Sequence, residues 1–518
     1  MKRKTIKKAA SVFLASVLTI LPLFGCSQQE GETSVLSSSS VSQNGEAGSE
    51  ASESKEPVQE NVEITVFREE HPDMPVGSDV YVFKKITENT GVSMKFEQSP
   101  ADSSLERYNL MIAGGDVPDL VIYYTSNLLD TTEEGPFLAL EDLLPEQAPN
   151  VWSVMDGNEN ILRESTSMDG HVYIIPGTQA IRANSMHLVR QDWLDKFGLE
   201  KPQTADEYYE MLKIFKEQDA NGNGEDDEIP FTTRHKSSGL SAIIEFFGID
   251  REWFIEGDQV LYGITDPRMK EAVAYLNKLY AEGLIDPDYM TNTQDIWQAK
   301  VTNNQVGTIN DLGSRLEFFN ELIPESPFVG MLPPAADGVE PGTFNQKSSI
   351  TDSAASIGKE SEYVSQILNM FNYIFSDEGT MLLNFGGEGE HYTLDGEDIT
   401  RLTQGNDANL AGINTNIPFI KDIRFELSQG EEVAQARQEY EPILRTRYPN
   451  LLFTKEEKDV ISSKYTDIKT FVDENFDKFV TGIEPLDNWD SFVEQVKDLG
   501  IEEIVDIQNA AYQRYISA

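Results

Sequence analysis

Val62-Glu63-Ile64-Thr65-Val66-Phe67 begins a stretch whose reading decides the architecture. Apolar Val and Ile alternate with Glu and Thr, the period of a strand with one buried face. Val80 to Asn89 then sets Val82, Phe83 and Ile86 inward on a helix. Val92-Ser93-Met94-Lys95-Phe96 alternates again, Leu105 to Ala113 reads as a helix, and Asp119-Leu120-Val121-Ile122-Tyr123-Tyr124 as a buried strand. Strand, helix, strand, helix, strand with short connections predicts an α/β fold, a sheet flanked by helices. Open sheets of that kind bind ligands beyond the carboxyl ends of their strands. Tyr124, Thr125, Ser126 and Asn127 lie at such an end, which makes Tyr124 and Asn127 candidate binding residues.

Downstream, His171-Val172-Tyr173-Ile174-Ile175-Pro176 gives way to polar Gly177-Thr178-Gln179 and Arg182-Ala183-Asn184, and the α/β pattern restarts at His187-Leu188-Val189-Arg190. A restart without a long linker predicts a crossing into a second lobe. Ser348 to Ser356 reads as a second crossing. Thr204 and Glu207 form a capping box ahead of Tyr208, Leu212 and Phe215, opening an amphipathic helix to about Gln218. Asp266-Pro267 starts a helix to about Ala281, with Gly283 at its end. Val306-Gly307-Thr308-Ile309 reads as a strand. Helices over about Lys455 to Val480, Asn488 to Leu499 and Glu502 to Tyr515 finish the chain.

The strongest chemical motif is Asp219-Ala220-Asn221-Gly222-Asn223-Gly224-Glu225-Asp226-Asp227-Glu228-Ile229-Pro230. Oxygen side chains at Asp219, Asn221 and Asn223, with Gly224 in the sixth place, match the first half of a calcium loop, and Glu225 would ligate through its carbonyl. The twelfth place is Pro230 where such a loop carries a bidentate Glu. Asp227 and Glu228 are the carboxylates available instead.

Ahead of the folded part, Lys2, Arg3, Lys4, Lys7 and Lys8 precede an apolar run from Ala9 to Phe24, which ends at Gly25-Cys26. This is the pattern of a secretory signal over residues 1–25. Gly25-Cys26 resembles the lipobox of bacterial lipoproteins, which would make Cys26 the lipidated first residue of the mature chain. Cys26 is the only cysteine among 518 residues, so no disulfide forms within one chain. A thioether-linked diacyl anchor with an amide-linked acyl chain, palmitate among them, holds a protein stably where one chain binds marginally. Residues 26–57, rich in Ser and Glu, cannot bury enough apolar surface to fold and read as a tether.

The net charge is −48, and five units more negative without the five basic residues of the signal. Nucleic acid and anionic lipid surfaces are poor partners for such a chain.

Several segments together are similar to the large oligosaccharide-binding lipoproteins of bacterial ABC importers, the group of alginate-binding and LplA-type solute receptors. They are Arg190-Gln191-Asp192-Trp193-Leu194 through the Asp219 loop, Asn384-Phe385-Gly386-Gly387-Glu388-Gly389-Glu390-His391-Tyr392-Thr393, Thr481-Gly482 with Pro485-Leu486 and Trp489-Asp490, and the closing Ala511-Tyr512-Gln513-Arg514-Tyr515. Gly387 stands where that family has an aliphatic residue.

The resemblance implies a two-lobed periplasmic-binding-protein-like fold (type II), helix-rich in its second lobe, closing on a sugar chain. The lobes would be residues 58–180 with 352–395 and residues 181–351 with 396–518. It also implies a structural calcium held by Asp219, Asn221, Asn223, Glu225, Asp227 and Glu228, an ABC importer permease as partner, a monomeric state, and the membrane touched only through the lipid at the extracellular face.

Sugars need aromatic faces and fixed polar groups. The candidates are Tyr124, Asn127, Arg182, Trp253, Asn310, Asp311, Glu388, His391 and Tyr392, whereas Trp193 and Trp489 are assigned to packing. The rival readings are a secreted lipoprotein glycoside hydrolase and a surface receptor for a peptide or signalling ligand. With 89 Asp and Glu, carboxylate pairs carry no information about hydrolysis. G-x-S-x-G, H-E-x-x-H and P-loop lysine motifs are missing from the sequence.

Overall fold

A computed structural model of the chain describes residues 61–517 apart from 72–73, 132–134, 181, 397, 404 and 429. The signal-like segment, Cys26 and the tether lie outside the described residues.

The opening pattern folds as its periodicity predicts. Strand Val62–Glu69 runs parallel to Val92–Ser99, with Val62 opposite Val92, and parallel to Leu120–Tyr124. Its alternation sorts side chains between two faces: Ile64 and Val66 join Leu120, Ile122 and Phe371 in one core, while Phe67 joins Val121, Tyr123 and Tyr108 in another. Helix Tyr81–Thr90 buries Val82, Phe83 and Ile86. It stops at Gly91, whose φ of 70° is a left-handed conformation that suits glycine. The next helix, Ala101–Gly114, begins a turn earlier than its apolar pattern, because Pro100 and Asp102 favour a start where no large apolar residue marks one.

The remaining strands of this sheet come from far along the chain. Ile350–Ile357 lies antiparallel between Leu120–Tyr124 and Ile175–Thr178. The crossing expected over Ser348 to Ser356 is therefore mostly a strand of the first sheet. Residues expected in the second lobe after 395 also pack on the first core: Ala408, Ile413, Ile417 and Phe419 are buried there, and the Val82 N–H donates to the Ala411 carbonyl at 3.0 Å. Their irregular spacing gave no period from which this docking could be read.

A second sheet has the order Phe328–Met331, Ser185–Arg190, Val306–Leu312, Ile229–Thr232. Helix Ala205–Glu217 opens with the expected capping box: Thr204 Oγ1 accepts the Glu207 N–H at 3.1 Å, and the Glu207 carboxylate accepts the Thr204 N–H at 3.2 Å. Its Tyr208, Leu212 and Phe215 share a core with Trp193 and with residues of helices Pro267–Ala281, Lys455–Val480, Trp489–Asp498 and Ile501–Ser517. This gathering makes the second half rich in helix, and both Trp193 and Trp489 are buried in it.

Three segments run between the two sheets side by side. The Gln179 N–H donates to the Ser349 carbonyl at 2.9 Å and the Asn184 N–H to that of Asn345 at 2.9 Å, while the Lys347 N–H returns a bond to the Arg182 carbonyl at 2.8 Å. On the other side of the first segment, the Thr178 N–H donates to Phe419 at 2.9 Å and the Lys421 N–H to Thr178 at 2.8 Å. Gly177 permits this close approach, since a Cβ there would strike Thr351 Oγ1.

Candidate functional site

Between the sheets lies a cleft of two adjoining cavities, about 560 Å³ and about 500 Å³, which share Asn184, Leu312, Gln346 and Arg447 as walls. Volumes of this order suit a small-molecule ligand.

The first wall stands at the carboxyl ends of Val62–Glu69 and Leu120–Tyr124, where the βαβ pattern placed it. Tyr124 presents its ring to the cleft at 44% exposure. Its hydroxyl donates to Glu69 Oε1 at 2.9 Å. That bond, with burial behind it, pushes the phenol up to about 12, so Tyr124 stays neutral. Glu69 also accepts from Ser104, which bonds the Tyr123 hydroxyl at 3.0 Å. Tyr123 stacks on Tyr108 at 4.6 Å and meets Tyr124 edge-on at 5.0 Å, so the exposed ring is backed by two buried ones. Asn127 is not part of this wall; its carbonyl accepts the Tyr108 hydroxyl at 3.1 Å.

The opposite wall carries Trp253, Asn310 and Asp311. The indole N–H of Trp253 donates to the Tyr465 hydroxyl at 2.9 Å, and its ring lies 6.4 Å from that of Tyr448 at 24°, nearly parallel. Asp311 is buried and takes a two-pronged ion pair from Arg234, at 2.7 and 2.8 Å, while Gln294 accepts a third guanidinium bond at 2.8 Å. Such a paired carboxylate is fixed in direction. Glu245 lies below, accepting the Phe344 N–H at 3.1 Å. Burial, reinforced by nearby Asp250, pushes its carboxyl up to about 8.

Three expected residues are elsewhere. Glu388, His391 and Tyr392 are not among the residues lining the cleft. His391 Nδ1 accepts the Gly387 N–H at 3.1 Å and its ring packs 4.4 Å from that of Tyr81; Tyr392 is buried against Phe385 at 5.8 Å, and Glu388 bridges to Tyr392 within the same turn. The stretch is a turn packed outside this cleft. Arg182 is buried at the crossing, behind the cleft surface. Conversely, Lys347, Lys421, Arg447 and Tyr448 line the cleft without having been singled out. The polar run Gln179 to Asn184 gave a signal for the crossing, but nothing local marks those four.

The Asp219 loop sits apart from this cleft. Gly222 and Gly224 have φ of 75° and 81°. Asn221 Oδ1 accepts the Asn223 N–H at 3.0 Å, Asn223 Oδ1 the Glu225 N–H at 2.7 Å, and Asp219 Oδ2 the Gly224 N–H at 3.1 Å. The amides of Asn221 and Asn223 both donate to Asp227 Oδ1, at 2.8 and 3.0 Å, and buried Glu228 accepts the Asn221 N–H at 3.3 Å. Among the described residues no group of three or more Asp, Glu, His or Cys side chains is arranged to hold a metal. What the loop gathers is a mixed amide and carboxylate oxygen set, of the hard kind that calcium takes.

Lipoprotein LipO of Bacillus subtilis is 26% identical over 459 residues, covering 83% of this chain and 88% of that protein. The fructooligosaccharide ABC transporter substrate-binding protein FusA of Streptococcus pneumoniae is 28% identical over 269 residues, 48% of this chain and 50% of FusA. In fold, the chain is similar to the alginate-binding protein AlgQ2 without calcium ion, with a TM-score of 0.72 and 22% identity over 88% of this chain and 98% of the other. An EF-hand mutant of FusA in complex with fructo-nystose gives 0.69 and 19%, over 88% and 100%. Two-lobed solute-binding proteins thus share this architecture. Residues 82–364, more than half of the chain and including Tyr124, Trp253, Asn310 and Asp311 of the cleft, match one family along their length. The chain belongs to the bacterial extracellular solute-binding proteins.

Proposed function

We propose that this protein is a lipid-anchored receptor on the extracellular face of the membrane that captures an oligosaccharide between its two lobes and delivers it to an ABC importer. One observation carries the reading. A continuous cleft between two sheets has an exposed aromatic ring on one wall, Tyr124, and an aromatic pair, Trp253 and Tyr448, on the other. Aromatic faces on opposite walls, with fixed polar groups such as Asp311 beside them, suit the C–H faces and hydroxyls of a sugar chain. The ligands of FusA and AlgQ2 supply the class. Capture occurs without turnover. The first lobe is built on the first sheet together with residues to about Phe419, and the second on the remainder. The anchor is Cys26, and the protein works as a monomer.

A structural calcium belongs to this reading. Asp219, Asn221, Asn223, Asp227 and Glu228 would hold it with the Glu225 carbonyl, neutralising the carboxylates and fixing the loop between Ala205–Glu217 and Ile229–Thr232. The FusA EF-hand mutant and the calcium-free form of AlgQ2 are consistent with such a loop in this architecture.

The test is a thermal-shift and calorimetric screen against oligosaccharides, with X-ray scattering on any binder. Binding, a smaller radius of gyration with ligand, and sugar recovered uncut are expected. Cleaved sugar in purified wild-type protein would move the reading to a hydrolase, and a full screen without a binder would remove the sugar class.

A further inference from the structure

Each of the three segments that cross between the sheets brings one cation to the same place. Arg182 comes from the first, Lys347 from the second and Lys421 from the third, and the backbone bonds of Lys347 to Arg182 and of Lys421 to Thr178 hold the three segments side by side. Lys347 and Lys421 line both the 560 Å³ cavity and a smaller recess of about 180 Å³, to which Arg437 of helix Glu431–Tyr440 also contributes. From these positions we infer that the hinge end of the cleft seats a carboxylate of the bound sugar, so that the ligand is an acidic oligosaccharide. The inference rests on the sugar-receptor reading above and narrows its ligand class.

The energetics favour an anion there. Cations brought together out of water repel one another and lose hydration, which disfavours the charged forms unless countercharge is supplied. The effect is visible on each group. Burial, then Arg182, Lys421 and Arg437, hold the Lys347 amine down to about 7. Burial and Arg437 hold Arg182 down to about 9, and burial followed by Arg182 lowers Lys421. Asp352 is the carboxylate acting against the shift on both lysines. Asp422, beside the recess, is already committed to Arg424 at 2.9 Å. Arg182, Lys347 and Arg437 have interactions of their own within the protein. A ligand carboxylate therefore gains the field of the whole group and charge-assisted bonds from the two cleft-lining lysines, not a vacant partner. The arrangement stands out against the composition, 89 Asp and Glu against 41 Lys and Arg. A neutral sugar needs donors and acceptors, but it gives no reason to gather cations at a hinge.

The test uses the full chain in detergent and a pair of ligands differing only in charge, trigalacturonate and its methyl ester, with neutral oligosaccharides as a third arm. The acid should bind at least about tenfold more tightly than the ester, with the gap narrowing as salt is raised. Lys421→Met should reduce the gap to about threefold or less and, by relieving repulsion, raise the melting temperature of the unliganded protein. Lys347→Gln repeats the measurement should Lys421→Met fold poorly. Equal binding of acid and ester, a preference untouched by both variants, or binding of neutral sugars alone would overturn the anionic ligand and leave the sugar receptor standing. Binding of no oligosaccharide of any charge would overturn both.

Discussion

The Asp219 loop and the hinge cluster are both charged assemblies, but they are built in opposite ways. In the loop, the side chains that bond one another lie within ten consecutive residues, and its turns are set by Gly222 and Gly224. In the hinge, Arg182, Lys347 and Lys421 are far apart in sequence and meet because three crossing segments share backbone hydrogen bonds. The loop orders itself through local bonds, whereas the hinge is ordered by the whole fold. A contiguous site can therefore govern stability without touching binding, while an assembled one couples binding to how the lobes sit.

The largest effect expected from breaking this division lies in the turn around His391, another contiguous motif. Tyr392→Ala removes a buried ring and should cost about 3 kcal/mol of stability, read by denaturant unfolding, while affinity for ligand stays within about twofold. A large loss of affinity at preserved stability would return this turn to the binding site. Next comes the cation. A site filled at a hundredfold excess over its dissociation constant adds about 2.7 kcal/mol, so chelator should lower the melting temperature and calcium restore it. Asp219→Ala should abolish that response, and an unchanged response would remove the metal from the loop.

Smaller effects sharpen the cleft side. Tyr124→Ala and Trp253→Ala should each weaken ligand binding about tenfold, or about 1.4 kcal/mol; melting should change little for the exposed Tyr124 ring but fall for Trp253, which is packed and bonded to Tyr465. Loss on one wall only would mean that the ligand stays on one lobe. A pH-dependent change concerns Glu245, faced by Asp250 and Arg445. Its carboxyl is raised from 4.5 to about 8 in the fold, so the folded state holds a proton that the unfolded state releases. That contribution is complete below about 4.5 and is lost as pH rises through about 8. Wild-type melting should therefore fall over this interval more steeply than that of Glu245→Gln. A residual slope of the same sign is expected from Asp250, which burial also raises.

Particular elements show where sequence reading reached and where it stopped. The capping box at Thr204 and Glu207, the stop at Gly91 and the long helix Lys455–Val480 follow from residues a few places apart. The position of Tyr124 at the cleft was legible because a βαβ pattern fixes which strand end opens to it. The Gly-rich stretch to Tyr392 drew attention through its similarity to a family signature, yet its glycines serve a tight turn against Tyr81 and Ile413.

Taken alone, the sequence determined the α/β class, the restart into a second lobe, the amphipathic helices and the oxygen spacing of the Asp219 loop, because period, capping and turn chemistry act over a few residues. Only the tertiary structure decided that Ile350–Ile357 enters the first sheet, that residues near Ile413 dock beside it, that Tyr448 stands near-parallel to Trp253, and that three separate cations converge at the hinge. Those outcomes depend on pairings between segments scores to hundreds of residues apart, and no local period records which partner a strand or side chain will meet.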